Sequence, residues 1–292
     1  MVSLVSVVIT TKNEEKNIEN CLKSIKNQTY SRDKIEIIVV DNNSIDKTKE
    51  IAKKYTDKVF NLAQETDLNG VKNFRGAQLN LGAKKSKGEI IFFPDADMTF
   101  DKDLISEVAE KLNNFDALFI PEIICGKGLF GRIRNFERSF YNGTSIDAVR
   151  IIKKSIFLEV SGFDVKNIAF GPDDWDFTKR LKINNLKLGI TTKSLFHHEE
   201  QMSWSNYLIK KDKYIDTFDD YIKKWGKDDL DIKKQFGFYY RFFGVFIELG
   251  KWKKLLKHPI LALGMYFLRF MVGIKFLMRN IYNKSKTRAQ NK

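Results

Sequence analysis

Within the first hundred residues, unbroken apolar runs alternate with amphipathic stretches, and this alternation restricts the possible folds more than any other feature. Val5-Ser6-Val7-Val8-Ile9-Thr10 predicts a buried strand, and residues 14–27 predict a helix with Ile18, Cys21, Leu22 and Ile25 on one face. Residues 35–40 form a second apolar run ending in Asp41, followed by a helix after Asp46, a short strand at 59–62 and a helix over 72–86. A further strand at 89–93 runs into Pro94-Asp95-Ala96-Asp97. Strands apolar at nearly every position need cover on both faces, which helices of this length supply, so a mostly parallel α/β sheet is expected. Ligands of such sheets sit beyond the carboxyl ends of the strands, where Asp41 and the Asp95/Asp97 pair fall.

Farther along, residues 116–121 and 186–191 predict strands, and 129–141 and 173–184 predict helices. From Ser203 the pattern is helical, with Pro259 as its breaker. The 292 residues allow one large domain or two small ones. The formal net charge of +14 is unevenly spread: residues 232–292 hold fourteen Lys or Arg against one acid, Glu248. A near-neutral body with a basic, aromatic-rich tail points to anionic lipid rather than to nucleic acid. Cys21 and Cys125 have no metal or redox spacing and suit a reducing compartment. No basic region precedes the first apolar run, so no secretory signal is expected.

Two carboxylates one residue apart just past a strand, Asp95 and Asp97, can hold a hard divalent cation such as Mn2+ or Mg2+. An isolated pair of this kind is also an ordinary solvated turn. Asp41 at a strand tip can accept a hydrogen bond from a nucleobase, while Ser44 or Asp46 caps the next helix. Arg75, near a helix start with Gln78 and Gly82 on about the same face, can meet a phosphate. Asp173, Asp174 and Asp176 crowd the first turn of a helix; Asp176 can pair with Arg180 one turn on, leaving a carboxylate to take a proton from a hydroxyl. Of the neighbouring His197 and His198, at most one is expected to be functional.

Together these segments resemble the family 2 glycosyltransferases. Ser6 to Glu14 is similar to the opening S-V-V-I-P-T-Y-N-E segment, with Thr10 for Pro and Lys12 for Tyr. Val40 to Thr48 is similar to V-D-D-G-S-x-D-x-T, and Gly88 to Asp97 to the run into the metal-binding DxD. Gly162-Phe163-Asp164 and Asp173-Asp174-Trp175-Asp176 resemble the acceptor-side GGFD and E-D-x-D segments, with Ser161 for Gly and Asp173 for Glu. The helical, basic and apolar pattern of the tail reads as a C-terminal extension at 231–292, after a catalytic domain at 1–230 with a donor half to about 100 and an acceptor half from 101. The resemblance, over roughly residues 4–200, implies a GT-A fold, Rossmann-like. It implies an inverting transferase that takes a sugar from a nucleotide-diphosphate sugar with Mn2+ or Mg2+. Thr11, Glu14 and Asp41 would bind base and ribose, Arg75 the diphosphate side, and Asp95 and Asp97 ribose and metal. Asp174 would be the base, with Gly162, Phe163, Asp173 and Trp175 on the acceptor side. The stretch His197 to Glu199, with Ser203, Lys210 and Lys211, also resembles an H-x-E…S…K-K segment, which would put His197 near the diphosphate and metal.

The tail bears on location. Residues 260–278 are long and apolar enough to span a bilayer, but Arg269, Lys275 and Arg279 cluster on about a third of the helix, as in an in-plane helix. Lys251, Lys253, Lys254 and Lys257 alternate with Trp252, Leu255 and Leu256 as a headgroup layer favours. The expectation is peripheral or shallow attachment to the cytoplasmic membrane face, a lipid-linked or glycan acceptor, no nucleic-acid partner and room for oligomerisation. A helix packed on the catalytic domain or a second subunit is the rival. A sugar nucleotidyltransferase would carry a Gly-rich basic loop where Thr11-Lys12-Asn13-Glu14 stands. A non-catalytic membrane-recruiting subunit would break a metal or base position, and Asp95, Asp97 and Asp174 are all present.

Overall fold

The computed structural model describes residues 3–290, with the backbone alone from 280 onward. Met1, Val2 and the last two residues of the predicted extension lie outside the described residues. The strands are β1 (Val5–Thr11), β2 (Ile35–Asp41), β3 (Val59–Asn61), β4 (Ile90–Phe92), β5 (Met98–Phe100), β6 (Ala117–Phe119), β7 (Glu122–Cys125), β8 (Val149–Lys153), β9 (Leu188–Ile190) and β10 (Leu195–His198). Seven of them form one sheet in the order β3-β2-β1-β4-β8-β6-β9, and β5-β10-β7 form a small second sheet. In the large sheet only β8 runs against its neighbours β4 and β6.

The period of two along β1 explains the cover on both faces. Val5, Val7 and Ile9 face one core with Ile37, Val39 and the helix Ile18–Lys26. Val8 faces the other with Ile38, Val40, Ile91 and Leu79 of the helix Phe74–Lys85. Ile18, Leu22 and Ile25 are wholly buried, each stabilising the fold by about 1.5–3 kcal/mol. The order turns outward on both sides of the β1–β4 boundary, a topological switch point; there Thr10 and Asp95 form an isolated parallel bridge.

The first predicted helix starts late, at Ile18, because residues 12–15 are held in a loop against the loop after β2. Strand β8 was not anticipated: Arg150 and Lys153 break its apolar run, yet it pairs with both β4 and β6. His197 and His198 lie within β10.

The chain forms two compact units, one of Met1–Ile123 with Asn142–His198, the other of Ile124–Tyr141 with Glu199–Lys292. The second is helical among its described residues apart from the end of β7. It packs Gly128–Arg138, Trp204–Ile215 and Pro259–Gln290 together. The approach is close: a Cβ on Gly264 would come within 2.3 Å of the Ile133 Cδ1.

Candidate active site

The predicted residues Thr11, Glu14, Asp41, Arg75, Asp95, Asp97, Gly162, Phe163, Asp173, Asp174, Trp175 and His197 all belong to the first unit. Two loops at the carboxyl edge of β1 and β2 are laced together. The Asn13 amide donates to Ser44 Oγ at 2.8 Å and the Ile45 amide to Asn13 Oδ1 at 2.9 Å. Asn13 and Asn43 take positive φ, which asparagine tolerates better than most residues. Asp41 is wholly buried and organises this corner, accepting from the Ser44 amide at 2.8 Å, from Thr11 Oγ1 at 3.0 Å and from the Ser44 hydroxyl. Asp46 caps Thr48, whose Oγ1 accepts from the Glu14 amide at 2.7 Å. Burial raises the Glu14 pKa, partly offset by the hydrogen bond from Asn17.

Arg75 stands at the centre of the charged part. Its Nε donates to Asp95 Oδ1 at 3.0 Å, and its Nη1 lies 3.4 Å from Asp173 and 3.3 Å from Asp174. Burial would lower its pKa, but Asp174, Asp95 and Asp173 outweigh that and raise it well above the ordinary arginine value. Asp95 takes a second cation, Arg150 Nη1 at 2.9 Å. Burial would raise the Asp95 pKa; Arg75 and Arg150 overcome this and hold the carboxyl well below the usual range. Asp173 is buried and accepts from Asn73 Nδ2 and the Gly171 amide, both at 2.9 Å; burial, then Asp174, raises its pKa. Asp174 is more open, its side chain 24% exposed.

Strand alternation in β10 sends the two histidines opposite ways. His197 bridges Glu122 (Nδ1, 2.8 Å) and Asp97 Oδ2 (Nε2, 3.1 Å), while His198 Nε2 lies 2.9 Å from Thr99 Oγ1. Burial would lower the His197 pKa, but its bonds to Asp97 and Glu122 raise it to about 10, so the ring is cationic at neutral pH. The other oxygen of Asp97, Oδ1, is buried with no hydrogen-bond partner.

The segments around Gly162 and Asp173 are held by buried contacts. Gly162 has φ +58°, and a Cβ there would come within 2.4 Å of Asn80 Oδ1. Asn80 accepts from the Phe163 amide at 2.8 Å and donates to the Phe163 carbonyl at 2.9 Å. Phe163 is buried and stacks on Phe177 at 4.6 Å. Arg180 pairs with Asp176 at 2.9 Å, as expected of the i, i+4 spacing, and also donates to the Gly162 carbonyl at 2.6 Å. Trp175 Nε1 donates to the Ile146 carbonyl at 2.9 Å.

The family model for glycosyl transferase family 2 matches residues 6–166, more than half of the chain. The chain belongs to that family. Among its relatives, glycosyltransferase AglE of Haloferax volcanii is 41% identical over 93 residues, 32% of this chain and 30% of AglE. The poly(ribitol-phosphate) beta-N-acetylglucosaminyltransferase TarP of Staphylococcus aureus (strain N315) is 28% identical over 267 residues, 88% of this chain and 73% of TarP. The mannosyltransferase PcManGT from Pyrobaculum calidifontis, solved with GDP-Man and Mn2+, superposes with a TM-score of 0.65 at 18% identity, covering 97% of this chain and 88% of PcManGT. The fold is therefore GT-A, as the resemblance implied.

Placed on this family 2 fold, the predicted residues fall into neighbouring groups. Thr11 and Asp41 touch; Glu14 hangs on the same pair of loops. Arg75, Asp95, Asp173 and Asp174 form one ion-paired group, and Asp97 joins His197. Residues not singled out beforehand complete these groups: Asn73, Asn80, Glu122 and Arg150. Gln78, noted only for its helix face, spans the strand tips by donating to the Thr11 carbonyl at 3.0 Å and the Val40 carbonyl at 2.6 Å.

Among the described residues, no three His, Cys, Asp or Glu side chains converge as a complete metal cage. The donor set nevertheless fits a cation that takes most of its ligands from a bound diphosphate. Asp97 offers one buried oxygen without a partner, and Asp95 is already committed to two arginines.

Proposed function

We propose that this chain is an inverting glycosyltransferase that moves a sugar from a nucleotide-diphosphate sugar to an acceptor hydroxyl or phosphate, with Asp174 as the base. The single observation that carries this is the grouping of Asp95, Asp173 and Asp174 around one guanidinium, Arg75, with the partnerless Oδ1 of Asp97 two residues along the chain from Asp95. Charge is thus gathered at a switch point of a GT-A sheet, beyond the ends of β1 and β4.

In this mechanism Thr11, Glu14 and the corner built by Asp41 receive base and ribose, with Asp95 on the ribose. Arg75 faces the diphosphate, and His197 lies close by as a cation that also fixes Asp97. Asp97 Oδ1 would hold Mn2+ or Mg2+; bound there, the ion supplies neutralisation of the charge that builds on the departing diphosphate. Asp173 and Asn73 fix the start of the helix Asp173–Ile183, so that Asp174 is presented at a defined position. Gly162, Phe163 and Trp175 seat the acceptor-side segments around it. Asp174 accepts the acceptor's proton as that oxygen attacks the sugar C1. No enzyme nucleophile is needed for a single displacement.

Asp97→Ala is expected to abolish the Mn2+-dependent part of donor binding, a loss of about 10²-fold or more, read by calorimetry with a panel of nucleotide sugars in Mn2+ and in EDTA. Equal affinities of both proteins in Mn2+ would remove Asp97 as a ligand.

The acceptor is proposed to be lipid-linked, with the enzyme working at the cytoplasmic membrane face through residues 231–292. The helix Pro259–Gln290 supports this: an 18-residue stretch within Pro259–Arg279 has mean hydropathy 1.8, and Ile260 and Leu263 are more than 70% exposed. Phe267, Phe270, Leu277 and Met278 continue the same exposed stripe at helical spacing, while Ala262, Met265, Leu268 and Arg269 on the opposite side are buried. Two cations of this helix pair away from that stripe, Arg269 with Glu137 and Arg279 with Asp216. An apolar stripe beside Lys253, Lys254 and Lys257 suits shallow insertion among anionic headgroups. Replacing Leu263, Phe267 and Phe270 together by Ser should lower partitioning into anionic vesicles by about 10²-fold or more, measured by flotation with soluble turnover as the folding control. Unchanged flotation would shift the acceptor assignment to a soluble glycan.

A further inference from the structure

We infer that Arg134, Lys211, Arg241 and Arg269 form a phosphate-binding site inside the helical unit, separate from the donor site. All four belong to that unit and come from four separate helical stretches of the chain. Arg134 and Arg269 are buried, and both are tied to Glu137, at 2.8 Å and 3.2 Å. Arg269 also donates to Tyr141 Oη at 3.1 Å, and Tyr141 donates in turn to Glu137 at 2.6 Å. Arg134 and Lys211 both lie over the Tyr207 ring, at 4.2 Å and 5.2 Å, and Arg241 lies over the Tyr141 ring at 5.8 Å.

The group is short of negative charge. Glu137 serves two of the arginines, and Glu199 is shared between Arg134 at 3.5 Å and Lys210 at 3.8 Å. Donors are left over: Arg241 Nη1, Arg134 Nε and Arg269 Nε are buried without a hydrogen-bond partner. Burying charge without a counter-ion is costly, and a cluster of cations with spare donors is the complement of an anion with several acceptor oxygens. Phosphate matches the planar forks of three arginines and the point charge of a lysine better than a carboxylate, which has only two oxygens to share. Burial, then Arg134, pulls the Lys211 pKa down to about 7, and burial, then Arg269, pulls Arg241 down to about 10. Both shifts go the way that burial beside other cations drives them. Lys211 and Arg241 are only half-buried, which leaves a way in for the anion.

The phosphate can belong to a lipid or to a soluble molecule, and two probes separate these sources. The full chain is heated with inorganic pyrophosphate at constant ionic strength, with EDTA present to keep the diphosphate from binding through a metal at the donor site. In parallel it is floated with phosphatidylcholine vesicles carrying phosphatidic acid or phosphatidylserine at equal surface charge. A soluble phosphate site predicts a Tm rise of about 2–3 °C at a tenfold excess over Kd. A lipid site predicts preference for phosphatidic acid over phosphatidylserine. In either case Arg241→Met should raise the Tm of the unliganded protein, because an unpaired charge is removed, and should cancel the response to the probe. Lys211→Met should weaken the response with little effect on the unliganded Tm, and serves if Arg241→Met does not fold. The inference is overturned if neither probe responds. It is equally overturned if a response survives in both variants, since the binding then lies elsewhere.

Discussion

Asp174→Asn should lower kcat by about 10²–10⁴-fold while changing the donor Kd by less than about threefold. The substitution keeps the size of the side chain and its place in the first turn of the helix Asp173–Ile183, but an amide cannot take a proton from the acceptor. Asp173 is the control. It is buried and bonded to Asn73, the Gly171 amide and Arg75, so its replacement by Asn should show mainly in stability. Single-turnover kinetics with saturating donor separate the two effects. If Asp174→Asn retains wild-type turnover while Asp173→Asn loses it, the base is Asp173. The contrast rests on exposure, because a base must reach an acceptor from outside and Asp174 is the more open carboxylate.

Parts of this arrangement that depend on local sequence are legible in the sequence alone. The runs that become β1 and β2 are apolar at most positions, and the Asp176–Arg180 pair follows from helix geometry alone. The family motifs placed Arg75 and the four carboxylates Asp95, Asp97, Asp173 and Asp174 in one functional region, but not in contact with one another. That contact depends on strand order. Arg150 reaches Asp95 only because β8 inserts antiparallel beside β4, and a charged residue within Val149–Lys153 weakens the very pattern that would announce a strand. Glu122 reaches His197 because β7 and β10 belong to the same small sheet, which separates these residues by 75 positions in the chain. Asn73 and Asn80 read as routine polar residues of a helix start and a helix face. Their roles come from buried partners far away in sequence, Asp173 and Phe163. In the tail, composition disclosed a basic and apolar segment. It could not show that Arg269 turns inward to Glu137 while Ile260 and Leu263 turn outward.

Arg75→Met is expected to have the largest effect on stability, about 3 kcal/mol, because it strips the shared cation from three carboxylates at once. Methionine fills much of the same volume, so the loss is electrostatic rather than a cavity. Arg150 continues to pair with Asp95, which keeps the cost toward the lower end, and the uncompensated charge falls on Asp173 and Asp174. The pH dependence has a definite sign. Asp173 already has its folded pKa raised, first by burial and then by Asp174, and Arg75 is what restrains that rise. An acid whose folded pKa lies above its unfolded value destabilises the fold at pH above both, and the penalty is absent below the unfolded value near 3.9. Removing Arg75 raises the folded value further, so the deficit of Arg75→Met should be largest near pH 7 and shrink as the pH falls toward 5. Urea midpoints of both proteins across that range measure it. Adding Asp174→Asn to the variant should restore part of the lost stability, since one of two crowded charges is gone, whereas two independent sites would give additive losses. A pH-independent deficit, or strict additivity with Asp174→Asn, would mean that Arg75 holds the helix Phe74–Lys85 in place by packing and does not hold these carboxylates together.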